Sequence, residues 1–540
     1  MDRLRPALRW LAAPVTGALL AAAFPALDLG ALALVALVPL LLAVETVRPR
    51  YAAALGYLAG LTFFGLHLLW IAQFLSWTGA VAWLAWGALS AIQAAAFAAF
   101  FALVPATRPL GAWRLLVLPA AWAVLELLRA YHPIGGFPWG LLALSQHDAG
   151  PLLPLARVVG GFGLAAVIVA VNLAVAFFIR ALFASQEGSR RRRLATLVGL
   201  PLLVVGLGGA RLAVPAAPAA SGPALDVVVV QAGLRGGHGL SQGQTTEQVF
   251  DNHVRRTETI ALTPGDPPDL VVWGEGAADA DPIGNPERQA AIARAAAAAR
   301  APILLGATTS IDQDHRATEG LLYTPEGRLA DRYQKRRLVP FGEFVPFGSV
   351  LGRLIPATRE GVPYDKVPGQ RLEPLLIDGT RVGPLICWES AYPADARQLA
   401  RDGSQVLLIM TNNASFGTGA GPHQHLAAGQ LRAVETGRTI VQAAVTGISA
   451  VIDPAGRASS QTGLYQDTVI RVQAAPRDGQ TPYVRYGRGI EAAMIGVLVG
   501  GLVLAGILWR RRLGEVGRAE PAEEPPLAHW DVVPPLGGSS

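Results

Sequence analysis

The stretch Arg381-Val-Gly-Pro-Leu-Ile-Cys387-Trp388-Glu389-Ser390 decides the fold of the second half of the chain. Its apolar run predicts a buried strand that ends at Cys387, then a break, then a helix near residues 394–401. A nucleophile at such a turn is exposed to substrate, and neighbouring backbone N–H groups can bind an oxyanion. Cys387 is the only cysteine of the chain, so it forms no intramolecular disulfide and its role is packing or reactivity.

The composition indicates a membrane protein that also carries a water-soluble domain. Of 540 residues, 52% are hydrophobic and only 16% are charged, and the mean hydropathy is +0.37. The net charge of +6 comes from arginines at the ends of apolar runs, which indicates a bilayer and not nucleic acid as the partner. Lys335 and Lys366 are the only lysines. Because Arg is bulkier and holds its proton, a lysine retained in so Arg-rich a chain indicates a position where Arg fails. We expect Lys335→Arg to be severely impaired and Lys366→Arg to be nearly silent.

Apolar runs before residue 213 predict seven membrane spans, and an eighth follows near the C-terminus. The predicted spans are 11–27, 29–44, 51–75, 80–106, 113–129, 160–183, 194–212 and 490–509, of which the first two could instead form one re-entrant hairpin. Arginine clusters fall on one side of these spans, with Arg129 and Arg211 as exceptions, and the positive-inside rule makes that side cytoplasmic. Both termini are then inside and residues 213–488 outside. Loop 130–159, with its Pro, Gly and aromatic residues, suits the membrane interface.

The outer region predicts an α/β domain of about 250 residues, long enough to bury a full core. Predicted strands are 225–231, 269–273, 302–308, 320–324, 328–334, 372–378, 380–386, 405–411, 439–445 and 449–453; predicted helices are 245–262, 286–300 with Asn285 as its cap, and 422–435. We therefore divide the chain into a transmembrane domain 1–212, a Pro- and Ala-rich linker 213–224, the α/β domain 225–476, a last transmembrane helix 490–509 and a disordered cytoplasmic tail 510–540.

Three reactive side chains follow predicted buried strands: Glu275, Lys335 and Cys387. Catalytic groups gather at such strand ends in α/β sheets. A thiol needs a base, which a partly desolvated carboxylate can be, and thiolate attack on a carbonyl creates an oxyanion that an ammonium stabilises. Each residue also has an ordinary interpretation, as a loop carboxylate, a surface cation and a small buried hydrophobe. Those interpretations do not explain why all three types occur in the same kind of place.

The segments around these residues resemble the Glu–Lys–Cys motifs of the nitrilase superfamily: Trp273-Gly-Glu275, Tyr333-Gln-Lys335 and Leu385-Ile-Cys387-Trp-Glu389. The segment 335–346 resembles more narrowly the apolipoprotein N-acyltransferase family, which also has N-terminal spans, an external nitrilase-like domain and a last span. The resemblance covers nearly all of the chain except the tail, and it implies a four-layer α-β-β-α sandwich. By position it implies the roles of general base for Glu275, oxyanion stabiliser for Lys335 and nucleophile for Cys387, with supporting or substrate-binding roles for Glu343, Trp388 and Glu389.

The chain departs from the family pattern at three places. Gly274 stands where the family usually has Pro, Ser415 stands where an aromatic is frequent, and residues 231–238 lack the Trp that some members carry. These changes bear on the rim and on lipid contacts more than on the triad. We therefore expect them to affect substrate preference and not the type of reaction.

The resemblance implies a membrane acyltransferase with ping-pong chemistry. Cys387 would take an acyl chain from a membrane phospholipid as a thioester and pass it to the α-amino group of the diacylglyceryl-cysteine at a lipoprotein N-terminus. The protein would be a monomer in the bacterial inner membrane, with its catalytic domain on the periplasmic side. Two alternatives are a membrane-tethered amidase with the same triad and a receptor or transporter whose outer domain only binds ligand.

No cofactor, metal or nucleic acid is expected. His423 and His425 are two residues apart on a predicted helix and do not share a face, and the Gly-rich stretch 233–239 lacks the Lys and Ser/Thr of a P-loop. The apolar segment 341–364 lies between two of the motifs. It is either an ordinary loop over the core or an arm that contacts acyl chains or the membrane.

Overall fold

A computed structural model describes residues 6–148, 150–183, 190–233, 242–262, 265–279, 281–354, 362 and 364–516. Its N-terminal part, residues 6–212, is helical. The helices are α1 Pro6–Ala22, α2 Val38–Val44, α3 Pro49–His67, α4 Trp70–Phe74, α5 Ala80–Ala106, α6 Arg114–Tyr131, α7 Ala156–Leu182 and α8 Arg190–Leu212. The predicted tail lies almost wholly outside the described residues.

Four helices of the described part are long and apolar enough to cross a membrane: Ala80–Ala106, Arg108–Tyr131, Leu153–Leu182 and Pro482–Arg511. Shorter apolar helices cover Pro6–Ala22, Gly30–Val44 and Val198–Leu212. The multi-span helical architecture is therefore confirmed, although fewer helices reach spanning length than the sequence predicts. The predicted single span 51–75 is wrong, because α3 ends at His67 and α4 begins at Trp70. The break lets the Trp70 indole donate a hydrogen bond to Gln424 of the α/β part, at 3.0 Å.

The α/β part contains two mixed sheets. Its strands are β1 Leu225–Gln231, β2 Leu270–Ala278, β3 Ile303–Ser310, β4 His315–Tyr323, β5 Leu329–Gln334, β6 Asp365–Lys366, β7 Leu375–Ile377, β8 Thr380–Ile386, β9 Val406–Thr411, β10 Thr439–Ala444, β11 Ala450–Ile452, β12 Ala458–Ser459 and β13 Thr468–Ala474. The first sheet has the order β13-β1-β2-β3-β4-β5, with β6 paired to β4. The second has the order β12-β11-β10-β9-β8-β7.

Helices cover the outer faces of both sheets. They are α9 Gln242–Ile260, α10 Pro286–Ala299, α12 Pro393–Arg401 and α13 Gly421–Thr436; the short α11 Gly348–Leu354 lies before β6, and α14 Pro482–Val516 ends the described chain. Val227 and Val229 of β1 face the second sheet, whereas Val228 and Val230 pack towards α9 and α10. This period of two is what a strand between two apolar layers requires. The predicted four-layer α-β-β-α sandwich is confirmed.

Most predicted strands are confirmed within a few residues, and β1 and β8 match their predicted bounds. Asn285 caps α10 as predicted, since its side chain accepts hydrogen bonds from two backbone N–H groups of the first turn. The sequence analysis missed the two-residue strands β6 and β12 and also β13, which pairs antiparallel with β1 along the edge of the first sheet. Its Thr468–Ala474 segment is partly exposed and mixes charged with apolar residues, so its pattern is weak without the β1 partner.

Close helix packing in the N-terminal part depends on glycine. A Cβ added to Gly17 of α1 would lie 2.4 Å from the carbonyl oxygen of Ala59 on α3, a distance that no real contact tolerates. The backbones therefore touch because the side chain is absent, as at other small-residue helix contacts in membranes.

We expect Gly17→Ala to lower the free energy of unfolding by about 1–3 kcal/mol, because the added methyl overpacks the contact between α1 and α3. Gly87→Ala on α5 is the matched control, since an added Cβ there meets no described atom within 4 Å. The measurement is the apparent thermal midpoint of the purified protein in detergent. An equal loss in both variants would contradict the packing argument.

Candidate active site

Glu275 projects from a bulge in β2. The pairing of β2 with β3 runs to Trp273↔Leu305 and resumes only at Ala278↔Ala307, so the intervening residues of β2 face a single residue of β3. That residue is Gly306, where an added Cβ would lie 2.5 Å from the Cα of Glu275. The expected strand end at Trp273 is thus corrected: β2 continues, and the bulge turns Glu275 out of the ladder.

Lys335 and Cys387 follow strands as predicted. Lys335 comes directly after β5, and Cys387 comes directly after β8 as the first residue of a short 3₁₀ turn, Cys387–Ala391. The backbone of Cys387 has φ of +49°, a left-handed conformation that is rare for a residue with a side chain. Such strain is typical of a functional turn that aims one side chain away from the strand.

The Lys335 ammonium lies between two carboxylates and is only 1% exposed. Its Nζ is 2.8 Å from Oε1 of Glu275 and 3.0 Å from Oε2 of Glu343. Burial opposes the charge, but these two carboxylates raise the pKa of Lys335 well above its ordinary value. The structure thus brings together Glu275, Lys335 and the expected supporting residue Glu343, and Lys335 remains a cation at neutral pH.

The Cys387 thiol completes this cluster. Burial and the neighbouring Glu275 raise the pKa of Cys387 to about 12, although Lys335 and Thr411 act in the opposite direction. The thiol is therefore protonated at neutral pH and needs a base at the moment of attack. The Glu275 carboxylate neighbours the thiol, so the arrangement offers a base for that proton.

His425 and Ser390 hold the backbone of Cys387, a role that the sequence analysis missed. The Cys387 carbonyl accepts hydrogen bonds from Ser390 Oγ at 2.8 Å and from His425 Nε2 at 3.0 Å. Because a carbonyl only accepts, the hydrogen of His425 lies on Nε2, and Nδ1 faces Thr411 and Asn413. Burial lowers the pKa of His425 to about 4, which keeps the ring neutral. Only the position of α13 against the turn reveals this role.

Glu389 anchors the turn to the end of β5. One carboxylate oxygen accepts hydrogen bonds from the backbone N–H groups of Arg336 and Arg337, at 2.7 and 3.3 Å, and the other accepts from that of Ile386, at 2.8 Å. The hydroxyl of Tyr333 donates to both oxygens. Burial and the nearby Asp395 raise the pKa of Glu389 to about 7, while the backbone donors favour the carboxylate. Glu389 thus ties the segment that carries Lys335 to the segment that carries Cys387.

Trp388 points away from the charged cluster and towards the N-terminal helices. Its ring stacks on that of Trp139, with centroids 5.4 Å apart and planes 7° apart. The Trp139 indole also donates to Gln424 of α13, at 2.6 Å. The loop 130–159 therefore lies between the helical part and Trp388, the residue after Cys387.

Arg129 binds the loop 130–159, which explains why it lies on the opposite side of the predicted spans from the arginine clusters. Its guanidinium donates to the carbonyls of Trp139 and Gly140, both at 2.7 Å, and the neighbouring Glu126 accepts from the N–H of Leu142 at 2.8 Å. Arg129 is buried, so it serves as a structural ligand of backbone oxygens and not as a loop cation.

The second lysine, Lys366, also reaches this cluster, a contact that the sequence analysis did not predict. Its Nζ lies 3.2 Å from Oε1 of Glu343 and 2.7 Å from the hydroxyl of Thr318. Both lysines of the chain therefore bind Glu343. Burial opposes its charge, yet Lys335 and Lys366 lower the pKa of Glu343 to about 2.

The described residues contain no group of three or more His, Cys, Asp or Glu side chains that could hold a metal ion. In the apolar arm, Phe341, Phe347 and Val350 are exposed to solvent, as an arm that contacts lipid requires. Residues 355–361 and 363 of the arm lie outside the described residues, as does the stretch 234–241 that holds most of the predicted Gly-rich segment.

Family models and individual relatives match both parts of the chain. The model of the apolipoprotein N-acyltransferase N-terminal domain matches residues 16–174, and the carbon-nitrogen hydrolase model matches residues 277–480. An apolipoprotein N-acyltransferase of Geobacter metallireducens is 31% identical over 94% of this chain and 96% of its own length. One of Pseudomonas aeruginosa is 33% identical over 71% of this chain and 72% of its own. A solved amidase from Nesterenkonia sp. aligns with 50% of this chain and 95% of itself at 18% identity, with a TM-score of 0.35, too low to establish a shared fold by itself.

We expect Glu389→Gln to impair both stability and activity, although the two side chains have nearly the same shape. In the variant, an amide nitrogen would replace one of the two carboxylate oxygens. That nitrogen and a backbone N–H, both donors, would then face each other, which costs about 1–3 kcal/mol for a buried group. Glu373→Gln, at an exposed position of the same domain, is the control. Thermal midpoint and turnover are measured for both variants. Wild-type values for Glu389→Gln would show that Glu389 does not anchor the turn.

Proposed function

This chain belongs to the apolipoprotein N-acyltransferase family, and we propose that Cys387 carries the acyl group during its reaction. The protein is an acyltransferase of the membrane with lipid and lipoprotein substrates. The observation that carries the proposal is the buried Lys335 ammonium, shared between Glu275 and Glu343 beside the single cysteine. Glu275 is the general base, Lys335 the oxyanion donor and Cys387 the nucleophile. Glu343, Trp388 and Glu389 support them.

In the first half-reaction, the Cys387 sulfur attacks an ester carbonyl of a membrane phospholipid. Glu275 takes the thiol proton, and the Lys335 ammonium stabilises the oxyanion of the tetrahedral intermediate. When the intermediate collapses, the carbon–oxygen bond of the ester breaks. The departing oxygen takes the proton from Glu275, which releases a lysophospholipid and leaves the acyl chain on Cys387 as a thioester.

In the second half-reaction, the α-amino group of a diacylglyceryl-cysteine at a lipoprotein N-terminus attacks the thioester. Glu275 accepts a proton from the nitrogen, Lys335 again stabilises the oxyanion, and the carbon–sulfur bond breaks. The proton on Glu275 returns to sulfur, so the products are an amide and the free thiol. Because water would hydrolyse the thioester, the apolar arm serves as a cover over the site.

The acyltransferase names of the relatives disfavour the amidase and receptor alternatives. The protein is proposed to act as a monomer in the inner membrane, with the division into transmembrane domain 1–212, linker 213–224, catalytic domain 225–476, helix 490–509 and tail 510–540. The catalytic domain is assigned to the periplasmic side. The arginine clusters at the ends of the apolar runs support this orientation.

We expect Cys387→Ser to lower acyl transfer by at least about 1,000-fold while the fold is retained, since a hydroxyl ionises far less than a thiol. The experiment incubates purified protein with phospholipid and searches the peptides by mass spectrometry for an acyl adduct on residue 387. Wild-type protein should carry the adduct, and hydroxylamine should remove it as a thioester. Wild-type turnover by the serine variant would contradict the mechanism. An acyl adduct found only on residues other than Cys387 would contradict it as well.

The proposed topology predicts that a reporter fused at Ser310 is active only if it works outside the cytoplasm. Alkaline phosphatase, which needs disulfides, should be active there, and a cytoplasm-dependent fluorescent reporter should be dark. A fusion at Arg48 provides the opposite control. Cytoplasmic activity at Ser310 would overturn the orientation.

A further inference from the structure

The second lysine of the chain is built into the site by a short strand. Strand β6 pairs with β4 in the register Arg316↔Lys366. The N–H of Lys366 donates to the carbonyl of Glu343 at 2.8 Å, and Asp365 accepts from the N–H of Val345 at 3.1 Å. Backbone and side chain of this strand therefore both hold the turn that carries Glu343.

Glu343 is surrounded by donors on both of its oxygens. Oε2 accepts from Lys335 at 3.0 Å and from the N–H of Val339 at 2.9 Å. Oε1 accepts from Lys366 at 3.2 Å and from the hydroxyl of Thr318 at 2.9 Å, and that hydroxyl in turn accepts from Lys366 at 2.7 Å. Such a carboxylate is fixed in place and stays charged.

We propose that Lys366 is a positioning residue that neutralises Glu343, so that Lys335 remains available to the reacting oxygen and sulfur. This inference rests on the proposed roles of Glu275, Lys335 and Cys387. It is carried by the position of Lys366, whose side chain is 23% exposed and reaches the buried carboxylate from the outer side.

The charge balance of the cluster gives the physical reason. Two carboxylates, Glu275 and Glu343, contact one ammonium, Lys335, so these three groups alone carry one net negative charge. Lys366 brings the total to zero before Cys387 loses its proton. Without Lys366, loss of the thiol proton to solvent would leave two net negative charges on the buried cluster, which is unfavourable in a low-dielectric site. When Glu275 takes the proton instead, the total does not change, but Lys335 alone would then have to balance Glu343 and the developing oxyanion.

No other strand neighbour supplies this charge in the described structure. Arg316, opposite Lys366 in the sheet, places its guanidinium 4.3 Å from the ring centroid of Tyr364. The titratable groups that face Glu343 and Cys387 are thus Glu275 from β2, Lys335 after β5, Lys366 from β6 and His425 from α13, whose ring is neutral.

The sole cysteine makes a direct test possible, because alkylation by iodoacetamide then reports on Cys387 alone. Lys366→Gln keeps a hydrogen-bond donor but removes the charge, and Lys366→Arg keeps the charge. Losing a cation disfavours deprotonation of Cys387, so alkylation at about pH 7 to 9 should slow by up to about tenfold in Lys366→Gln. Lys366→Arg should keep the wild-type rate. Arg328→Gln is the control, because it also replaces a cation by Gln but at an exposed position of the same domain.

A wild-type alkylation rate in Lys366→Gln overturns the proposal. So does equal slowing in Lys366→Gln and Lys366→Arg, which a purely structural role for the lysine predicts. The same proteins are then assayed for acyl-enzyme formation from phospholipid, where Lys366→Gln should be roughly 10- to 100-fold slower than Lys366→Arg. If wild type forms no acyl-enzyme, the proposed function fails, whereas a wild-type alkylation rate in Lys366→Gln contradicts only the role of Lys366.

Discussion

The buried ammonium of Lys335 is the constraint on which the site depends. A single buried cation is costly unless it is paired and hydrogen-bonded, and here two carboxylates from different segments meet it within 3.0 Å. Satisfying that charge requires β2 to bulge at Glu275 and the turn after Val339 to return Glu343 to the same point. The bulge in turn requires Gly306, because any side chain there would displace Glu275. Chemistry and backbone geometry are therefore specified together.

A second constraint links the nucleophile to the membrane-embedded part. Helix α13 is buried on both sides, with Leu426 and Ala433 in the core of the sandwich and Leu431 against the N-terminal helices. From it, His425 holds the Cys387 carbonyl and Gln424 contacts Trp70 and Trp139. The same helix thus touches the catalytic turn and the helical part. An enzyme whose substrates are lipids gains from this arrangement, because the site is held at a fixed place relative to the bilayer.

The surroundings of the Cys387 thiol hold it in the unreactive protonated form before a substrate binds. Burial keeps Cys387 protonated, and the Glu275 carboxylate and the Lys335 ammonium are its charged neighbours. In the proposed mechanism, charge separation occurs only when a carbonyl is present to accept the sulfur. The exposed Phe341, Phe347 and Val350 follow Lys335 closely in the chain.

The sequence by itself determined the architecture and the choice of Glu275, Lys335 and Cys387 as candidates. Apolar runs predicted a multi-span helical part, local patterns predicted ten of the thirteen described strands, and the three candidates were selected from strand ends and motif resemblance. These features are local, because period and strand position can be read along the chain. Only the tertiary structure decided the roles of Lys366, His425 and Arg129. Each acts through a partner far away in the sequence, on Glu343, Cys387 or the loop at Trp139, and no local pattern encodes which buried group a long side chain will reach.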